Sequence, residues 1–350
     1  MRRAIELAEL GRGKTYPNPV VGAVIARGDD CLAEGYHQRA GGPHAEIVAI
    51  RALREPARGA TLYVTMEPCS THGRTPPCTE AILRAGFRRV VFGATDPNPA
   101  HAGRAEMILR DRGVRVKSGV LAGDCAHLNL AWNKWISTGL PWVIAKAGMS
   151  VDGRINSPPG HRWITSAAAR SDAMWLRAAC DAVLVGGQTI RDDNPLLTLR
   201  GTRRNRFRPP LLRAVWTRSG NLPPDSNIFT DNHAAHTRIY QKIPLRTALR
   251  RLAGEGAQSV LIEGGGRVLG EAFDRQLVDE VVFYIAAQFL GGPTLAVAGL
   301  GAAGPGDAAW LEGVTCRIVG GNLRIQGRVK ATSSISPATH SGQSPYLTKS

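Results

Sequence analysis

The sequence has few cysteines, few aromatic residues and no long apolar run. Its 350 residues include six cysteines, and 6% of the chain is aromatic. No stretch approaches the ~20 apolar residues that a membrane-spanning helix needs, so we expect no membrane span. The cysteines are scattered, unlike the dense framework of small secreted domains, and Glu6 and Glu9 interrupt the region where a signal peptide would be apolar. We therefore expect a cytoplasmic protein, and the chain length favours two domains.

Acidic residues are also few: the chain has 28 Asp and Glu against 44 Lys and Arg, which gives a net charge of +16. Such an excess invites a nucleic-acid interpretation. The arginines are spread along the chain, with one cluster formed by Arg200, Arg203, Arg204, Arg206, Arg208 and Arg213. Only Phe207 could stack on a base there, which disfavours a nucleic-acid groove. A solvated loop is the favoured interpretation, and attraction of a phosphorylated small molecule is the other.

Two α/β segments follow one another, with a boundary near 135–141. In residues 1–140 helical and strand patterns alternate, and residues 141–330 repeat this style. Alternation of this kind predicts sheets with helices on their faces. Residues 331–350 are rich in Ser, Thr and Pro without periodic apolar positions, so we expect a disordered, dispensable tail.

Two of the few cysteines lie only nine positions apart, in 66-MEPCSTHGRTPPCTEA-81. A disulfide, a metal site and chance are the alternatives. In a reducing compartment a close pair more often binds metal than forms a disulfide. Cys69 and Cys78 are each preceded by proline and are each expected at the start of a helix, where the backbone N–H groups favour a thiolate.

Upstream, 42-GPHAEIVAI-50 places His44 and Glu46 two positions apart at the start of a predicted helix. A His-x-Glu triplet followed by Pro-Cys-x-x-Cys is the known signature of zinc-dependent deaminases. With Cys69 and Cys78, His44 makes three ligands and leaves a fourth zinc position for water. Glu46 is left off the metal, where it can take a proton from that water and pass it to the leaving nitrogen.

The loop between the cysteines departs from the signature, because it has eight residues in place of two. A loop of that size is expected to place His72 and Arg74 over the mouth of the site, where basic groups suit a phosphate ester. Two Pro-Asn-Pro turns contain Asn18 and Asn98, which could hydrogen-bond to the amide edge of a ring because an asparagine side chain both donates and accepts. Simple turn chemistry explains the two asparagines equally well.

These motifs together resemble a known family. TYPNPVVGAV, GYHQRAGGPHAE, EPCSTHGRTPPC and TDPNP resemble the N-terminal half of the bifunctional deaminase–reductase of riboflavin biosynthesis. KAGMSVDGRI, RWITS, LRAACDAVLVGGQTIRDDNPLLTLR and LIEGGGRVLGEAF resemble its reductase half. The resemblance implies an α/β chain, with a cytidine-deaminase-like three-layer domain at 1–140 and a dihydrofolate-reductase-like domain at 141–330. It also implies deamination of 2,5-diamino-6-ribosylamino-4(3H)-pyrimidinone 5′-phosphate, followed by NADPH-dependent reduction of the ribosyl chain to ribityl.

The resemblance also implies roles for individual residues. Zinc is held by His44, Cys69 and Cys78, and Glu46 is the proton shuttle. The positions expected to contact NADPH are Gly148, Trp163, Thr189, Asp193, Gly265, Gly266, Arg267, Val268, Leu269, Gly270 and Glu271. The positions expected to contact substrate are Asn18, His37, His72, Arg74 and Asn98 in the first half, and Lys146, His161, Arg177, Leu197, Arg200 and Glu263 in the second.

Physical chemistry supports part of these roles in the second half. The Gly-Gly junctions in VLVGGQT and LIEGGGRVLG would present backbone N–H groups to phosphates at helix starts, although tight packing would also require glycine. Arg177 and Arg200 are predicted phosphate clamps, with solvated surface as the alternative. Arg218 is predicted to meet the extra phosphate that distinguishes NADPH from NADH. Lys146 either assists protonation of the substrate or faces solvent.

Two other functions remain open at this point. A deaminase of nucleosides or tRNA bases would explain the zinc motif and the charge but would leave the second half without a catalytic role. A binding protein with a structural zinc is disfavoured, because three ligands beside an unused glutamate have the form of a catalytic site. As partners we expect a phosphorylated pyrimidine and, in a homo-oligomer, further copies of the chain.

Overall fold

The computed structural model describes residues 1–72, 76–99, 101–156, 163–202 and 206–330. It contains a five-stranded sheet followed along the chain by an eight-stranded sheet. The predicted tail at 331–350 lies outside the described residues. Within the described ranges, no helix combines the length and the apolar character needed to cross a bilayer.

The first sheet has the strand order β2-β1-β3-β4-β5. Its strands are β1 (Gly22–Arg27), β2 (Asp30–Tyr36), β3 (Thr61–Met66), β4 (Arg89–Ala94) and β5 (Arg115–Lys117). Its helices are α1 (Arg2–Glu9), α2 (Ala45–Ala52), α3 (Cys78–Arg84), α4 (Arg104–Asp111), α5 (Ala122–His127) and α6 (Leu130–Thr138). β1 is antiparallel to both its neighbours, whereas β3, β4 and β5 run parallel. The carboxyl ends of β3 and β4 therefore meet at one edge.

Close packing fixes the helix that begins the zinc motif. A side chain at Gly35 on β2 would overlap the backbone of α2 at Ala45 and Ala49, so α2 lies directly on the sheet. Ala45 and Ala49 are themselves buried in the core of this domain. This contact fixes the distance between the first turn of α2 and the sheet.

The second sheet has the order β12-β13-β11-β6-β10-β7-β8-β9. Its strands are β6 (Trp142–Ser150), β7 (Ala182–Gly186), β8 (Leu212–Thr217), β9 (Thr237–Gln241), β10 (Ser259–Ile262), β11 (Glu280–Ala286), β12 (Leu311–Val319) and β13 (Asn322–Val329). Its helices are α7 (Ala167–Ala179), α8 (Gly187–Asp193), α9 (Asn227–Thr230), α10 (Leu245–Gly254) and α11 (Gly266–Asp274), with short 3-10 helices at Ala234–His236 and Pro305–Asp307.

Six neighbouring strands of this sheet, from β11 to β9 in the order above, run parallel. β7 and β10 are buried along their whole length, as expected for central parallel strands covered on both faces. In open parallel sheets ligands bind beyond the carboxyl ends of the strands. The ends of β6, β10, β7 and β8 therefore mark the edge where a site is expected.

The arginine cluster is only partly a solvated loop. Arg213 lies on β8, its side chain is 1% exposed, and it donates to both carboxylate oxygens of Asp231 at 2.6 and 2.8 Å. Arg208 donates to Asp181 at 2.8 Å and is mostly buried. For these two arginines the solvated-loop interpretation is wrong, because a buried guanidinium must be paired. Arg200 and Arg206 are exposed, and residues 203–205 lie outside the described ranges.

Candidate active sites

The three predicted metal ligands meet beside the carboxyl end of β3. His44 immediately precedes α2, Cys78 is the first residue of α3, and Cys69 lies in the loop after β3. The Nδ1 atom of His44 is 3.2 Å from Cys78 Sγ and 3.5 Å from Cys69 Sγ. The expectation of a helix start is confirmed for Cys78 and wrong for Cys69, whose loop instead ends at the next ligand.

The donor set fits zinc. Zinc bonds of ~2.0 Å to nitrogen and ~2.3 Å to sulfur in tetrahedral geometry place nitrogen and sulfur ~3.6 Å apart. The three donor atoms lie within 4.8 Å of one another, and the two nitrogen–sulfur distances are close to that value. The backbone N–H of Cys78 also donates to Cys69 Sγ at 3.2 Å, which stabilises a thiolate. The two cysteines and the histidine can therefore bind one zinc ion together.

Mutual hydrogen bonding couples the pKa values of these three ligands. The bond from Cys78 lowers the pKa of Cys69 to about 4, and a further bond to His44 acts in the same direction. Bonding to Cys69 in turn raises the pKa of His44 to about 9. The Cys69 thiolate and burial raise the pKa of Cys78. Metal binding must displace the protons on His44 and Cys78, so zinc affinity rises with pH.

Glu46 lies in the first turn of α2, outside the cluster of metal donors. It is 3% exposed, and burial raises the pKa of its carboxyl group, opposed by the charge of His44. A raised pKa makes a carboxyl group a better proton acceptor, and the same group can then return the proton. The geometry therefore suits the predicted proton shuttle.

The structure brings Asn18 and His37 together next to the cluster. Asn18 Nδ2 is 3.3 Å from His37 Nε2, and His37 Nδ1 is 3.0 Å from the carbonyl of Pro43. Because a carbonyl can only accept, His37 carries its proton on Nδ1 and accepts at Nε2 from Asn18. Burial lowers the pKa of His37, which keeps the ring neutral. Its ring centroid is 5.7 Å from that of His44.

Glu67 has a structural role that the sequence interpretation missed. Its buried carboxylate accepts from the backbone N–H groups of Gly103 at 2.9 Å, Ala105 at 3.0 Å and Asp96 at 3.3 Å. It thereby caps α4 and holds the turn that carries Asn98. The signal was an acidic residue directly at a strand end, in the triplet before Cys69.

Three further residues of the first half were predicted to contact substrate, namely Asn98, His72 and Arg74. The backbone N–H of Asn98 donates to Asp96 at 2.9 Å, which is the turn chemistry considered as the alternative. His72 has a side chain 71% exposed and lies 3.7 Å from Glu80. Arg74 lies outside the described residues. Substrate contacts by Asn98, His72 and Arg74 stay predictions.

In the second sheet, Glu263 follows the end of β10 and forms a buried ion pair with Arg177 from α7. Arg177 Nε and Nη2 donate to the two carboxylate oxygens of Glu263 at 2.7 and 2.8 Å. Lys146 Nζ on β6 lies 3.7 Å from the same carboxylate. Burial alone would raise the pKa of Glu263, but the charges of Arg177 and Lys146 outweigh it and lower the pKa to about 2. Glu263 is thus a fixed anion.

This arrangement changes the predicted roles of two cations. Arg177 is buried, and its Nη1 atom also donates to the carbonyl of Thr198 at 2.6 Å. The solvated-surface alternative is wrong for Arg177, and its bonds show that it holds Glu263; contact with a phosphate stays a prediction. The solvent-facing alternative is also wrong for Lys146, whose side chain is only 21% exposed.

Thr198 belongs to the segment that carries two more predicted substrate residues. Leu197 is buried and has a positive φ of 53°, a strained conformation for a leucine. Arg200 is exposed at the end of the same segment. His161 lies outside the described residues. The bond from Arg177 to Thr198 therefore fixes the base of this segment.

Close packing, one of the two explanations considered for the triple glycine after β10, applies to its last member, and contact of this segment with phosphate stays a prediction. Side chains at Gly266 or Gly270 would overlap the backbone at Leu295 and Ala298, so close packing requires these two glycines. Gly265 has a positive φ of 77°, and the space beside it is open except for side-chain atoms at contact distance.

Val268 and Leu269 are buried in the core, so any cofactor contact from them is made by their backbone. Arg267 is exposed, whereas Glu271 is largely covered. Thr189 on α8 lies across from Gly265, with its Oγ1 3.7 Å from where a Cβ of that glycine would be. The first turns of α8 and α11 thus lie close to each other.

Of the other residues expected at the cofactor, Gly148 and Arg218 lie near the carboxyl ends of β6 and β8. Arg218, just after β8, has a side chain 81% exposed and places Nη2 3.4 Å from Glu271. Trp163 is half-exposed under the guanidinium of Arg170, which is 4.6 Å from its ring centroid. Gly148 lies near the end of β6 and Asp193 is the exposed last residue of α8. Cofactor contacts by all of them stay predictions.

A His-Cys-Cys cluster beside a buried glutamate, on a sheet with helices on its faces, defines a zinc-dependent deaminase, and here it is joined to a second domain with a mainly parallel sheet. Residues 1–94 match the family described as cytidine and deoxycytidylate deaminase zinc-binding region. Residues 141–309 match the RibD C-terminal domain.

Relatives match along most of the chain. The riboflavin biosynthesis protein RibD of Synechocystis sp. is 38% identical over 83% of this chain and 84% of its own length. RibD of Escherichia coli is 36% identical over 83% of this chain and 88% of its own length. A solved structure of Acinetobacter baumannii RibD aligns with a TM-score of 0.81 at 34% identity, covering 94% of this chain and 98% of that one. The chain belongs to the RibD family of riboflavin biosynthesis.

Membership confirms several predictions. The fold is a cytidine-deaminase-like N-terminal domain followed by a dihydrofolate-reductase-like C-terminal domain. The protein is a bifunctional deaminase and reductase, with a zinc-binding deaminase half. A nucleoside or tRNA deaminase with an idle second half is not favoured, because both halves match one bifunctional family.

Removal of Cys78 is expected to remove the metal. Cys78→Ala takes away one of three ligands, and we expect zinc content measured by elemental analysis to fall from about one ion per chain to a small fraction. Cys125→Ala is the matched control, because Cys125 is also buried in this domain but lies outside the cluster. Full zinc occupancy in Cys78→Ala would contradict the ligand assignment.

Proposed function

We propose that the protein carries out two successive reactions on one phosphorylated pyrimidine. Residues 1–140 deaminate 2,5-diamino-6-ribosylamino-4(3H)-pyrimidinone 5′-phosphate, and residues 141–330 reduce the ribosyl chain of the product with NADPH. The observation that carries this proposal is the presence of two separate sites in one chain: the His44 cluster with its buried glutamate, and the fixed anion Glu263 at the edge of the second sheet. A solved relative from Thermotoga maritima, at 33% identity and a TM-score of 0.78 over 94% of this chain and 97% of its own, is titled as a deaminase and reductase of these phosphoribosylamino-pyrimidines.

In the deamination, water replaces an amino group on the ring. Zinc, when bound by the three ligands, supplies the Lewis acidity that activates the water. Glu46 takes a proton from that water and returns it to the amino nitrogen, so that the C–N bond breaks with ammonia as the leaving group. Asn18, oriented by neutral His37, hydrogen-bonds the ring edge and aligns the carbon with Glu46.

In the reduction, the anomeric carbon receives a hydride and the ring oxygen receives a proton as the C–O bond opens. NADPH supplies the hydride. Lys146, held 3.7 Å from the Glu263 carboxylate, is the cation placed to supply the proton. Glu263, itself ionised beside Arg177, is the anion paired with Lys146. The starts of α8 and α11 offer backbone N–H groups to the cofactor phosphates.

Product analysis tests the proposal. The phosphorylated diaminopyrimidine is incubated with the zinc-loaded protein, with and without NADPH. We expect the deaminated ribosyl product without NADPH, and the ribityl product with one NADPH oxidised per molecule when the cofactor is present. Deamination without any NADPH oxidation, or turnover of tRNA in its place, would contradict it. The homo-oligomeric state and the cytoplasmic location expected from the sequence stay predictions.

Arg218 is expected to determine the preference for NADPH. It is exposed beside Glu271 at the cofactor edge, so Arg218→Gln should raise the KM for NADPH about tenfold, the worth of a charge-assisted hydrogen bond, and leave the KM for NADH unchanged. Arg275→Gln is the matched control, because Arg275 pairs with the same glutamate at 3.2 Å from the position directly after α11. An equal change for both cofactors would contradict this role.

A further inference from the structure

The loop that carries Asn18 is attached to the C-terminal domain. The hydroxyl of Tyr16 donates to the carbonyl of Gly256 in the turn between α10 and β10. From the same turn, Gln258 Nε2 donates to the carbonyl of Pro17 at 2.6 Å. Two consecutive residues directly before Asn18 are therefore bonded to the reductase half of the chain.

The attachment point in the C-terminal domain is itself held firmly. The backbone N–H groups of Gln258 and Ser259 both donate to Asp181 Oδ2 at 3.0 Å. Asp181 is buried, and its other oxygen accepts from Arg208 at 2.8 Å. The guanidinium of Arg208 also lies 5.6 Å from the ring centroid of Tyr16, within reach of a cation–π contact. Buried, mutually satisfied polar groups of this kind resist displacement.

On the deaminase side, the attached loop is connected to the metal cluster through hydrogen bonds and a ring contact. Thr15 and Asn18 close a tight turn, with the N–H of Asn18 donating to the Thr15 carbonyl at 2.8 Å and the Thr15 hydroxyl donating to the Asn18 carbonyl at 3.0 Å. Tyr16 and Pro17 form the two central residues of that turn. The amide of Asn18 then meets His37, whose ring lies against His44. A displacement of the turn must therefore displace Asn18.

The far side of the loop is anchored differently. The N–H and the carbonyl of Val20 are both bonded to the buried side chain of Asn129, at 2.8 and 2.9 Å. Asn129 belongs to the N-terminal half, just before α6. The loop is thus held at Val20 by its own domain and at the central residues of the turn by the other domain.

We propose that Tyr16 and Gln258 are positioning residues for deamination, through which the reductase half holds Asn18 against the pyrimidine. This rests on the proposed function, because it takes Asn18 as a contact to the pyrimidine ring. The deaminase site of this chain is complete only when the C-terminal domain is in place. Deamination then depends on two hydrogen bonds that lie outside the metal site and its ligands.

The test uses the full-length, zinc-loaded protein and conservative changes. Tyr16→Phe combined with Gln258→Met removes both bonds and keeps side-chain size, and we expect the KM for the diaminopyrimidine to rise about tenfold with zinc content unchanged. Reduction of already deaminated substrate should be unaffected. Trp135→Phe is the matched control, because Trp135 donates from α6 to the Ala253 carbonyl at 3.0 Å across the same two halves but not through the loop.

A background without Asn18 separates positioning from general stability. If Tyr16 and Gln258 act through Asn18, the double variant should have no further effect in Asn18→Ala protein. An unchanged KM in the double variant, or a full additional loss in the Asn18→Ala background, would overturn the proposal. An Asn18→Ala protein with normal KM would overturn it as well, while deamination by the parent protein would leave the proposed function standing.

Discussion

Replacing Glu46 with glutamine is expected to reduce deamination by ~10²-fold or more, while zinc binding and reduction persist. Glutamine preserves the size and much of the hydrogen bonding of the side chain, but it cannot accept a proton from water and return it to the leaving nitrogen. Glu46 is buried, its pKa is raised, and it lies outside the set of metal donors. The loss should therefore fall on proton transfer and appear in kcat, with little change in KM.

The measurement is product analysis of both steps for each variant, together with zinc content. Glu80→Gln is a matched control, because Glu80 lies two positions after a ligand at the start of α3, as Glu46 does in α2, but it faces solvent. We expect Glu80→Gln to keep full deamination. If Glu46→Gln abolished deamination and reduction together in folded, zinc-loaded protein, the assignment of two separate active sites would be wrong.

The zinc site could be predicted from the sequence because its parts are local. His44 and Glu46 are two positions apart, and the cysteines lie at the two ends of one loop between a strand and a helix. A strand followed by a helix brings such residues to one edge of a sheet whatever the rest of the chain does. That is why the ligands and the free glutamate are found where the motif placed them.

Partners far apart in the chain could not be predicted in the same way. Arg177 and Glu263 are 86 residues apart, and nothing in either local pattern distinguishes a buried ion pair from two independent substrate contacts. The bond from Gln258 to Pro17 spans 241 residues. Glu67 was missed for a related reason, since its position at a strand end was visible but its partners are backbone groups around α4, 36 and 38 residues further along the chain.

The hairpin of β12 and β13 was not among the predicted strands. β12 is an edge strand whose residues are mostly exposed, so it lacks the alternation of apolar and polar positions that marks a half-buried strand. The turn does carry a signal, because Gly320 and Gly321 separate the two strands and both have positive φ values. Turn chemistry was thus more informative here than hydrophobic periodicity.

The second large effect is expected at Glu263, where glutamine should remove reduction and lower the free energy of unfolding by about 3–5 kcal/mol. Removal of the carboxylate leaves the buried guanidinium of Arg177 without its anion and takes away the ion-pair partner of Lys146. Deamination, assayed at a temperature at which the variant remains folded, should persist, because the Glu46 site has its own core.

The same ion pair predicts a dependence of stability on pH. The pKa of Glu263 is lowered from 4.5 to about 2 in the folded protein. The unfolded chain therefore takes up a proton at higher pH than the folded one, so the stabilisation is complete above about pH 4.5 and is lost as pH falls toward 2. Denaturant titrations between these values should show a smaller loss of stability in Glu263→Gln than in the parent protein, since the variant has no carboxyl group to protonate.

A double variant distinguishes the structural from the catalytic part of this effect. Arg177→Met combined with Glu263→Gln removes the unpaired cation, and exchange of a buried ion pair for an apolar residue is often close to neutral in stability. We expect the double variant to unfold in denaturant nearly as the parent protein does, yet to reduce the deaminated substrate as poorly as Glu263→Gln alone. Recovery of reduction along with stability would show that Glu263 serves only to neutralise Arg177. Persistent loss of reduction in a stable protein would instead show that the Glu263–Arg177 pair serves the reduction itself, as the predicted substrate contacts of both residues require.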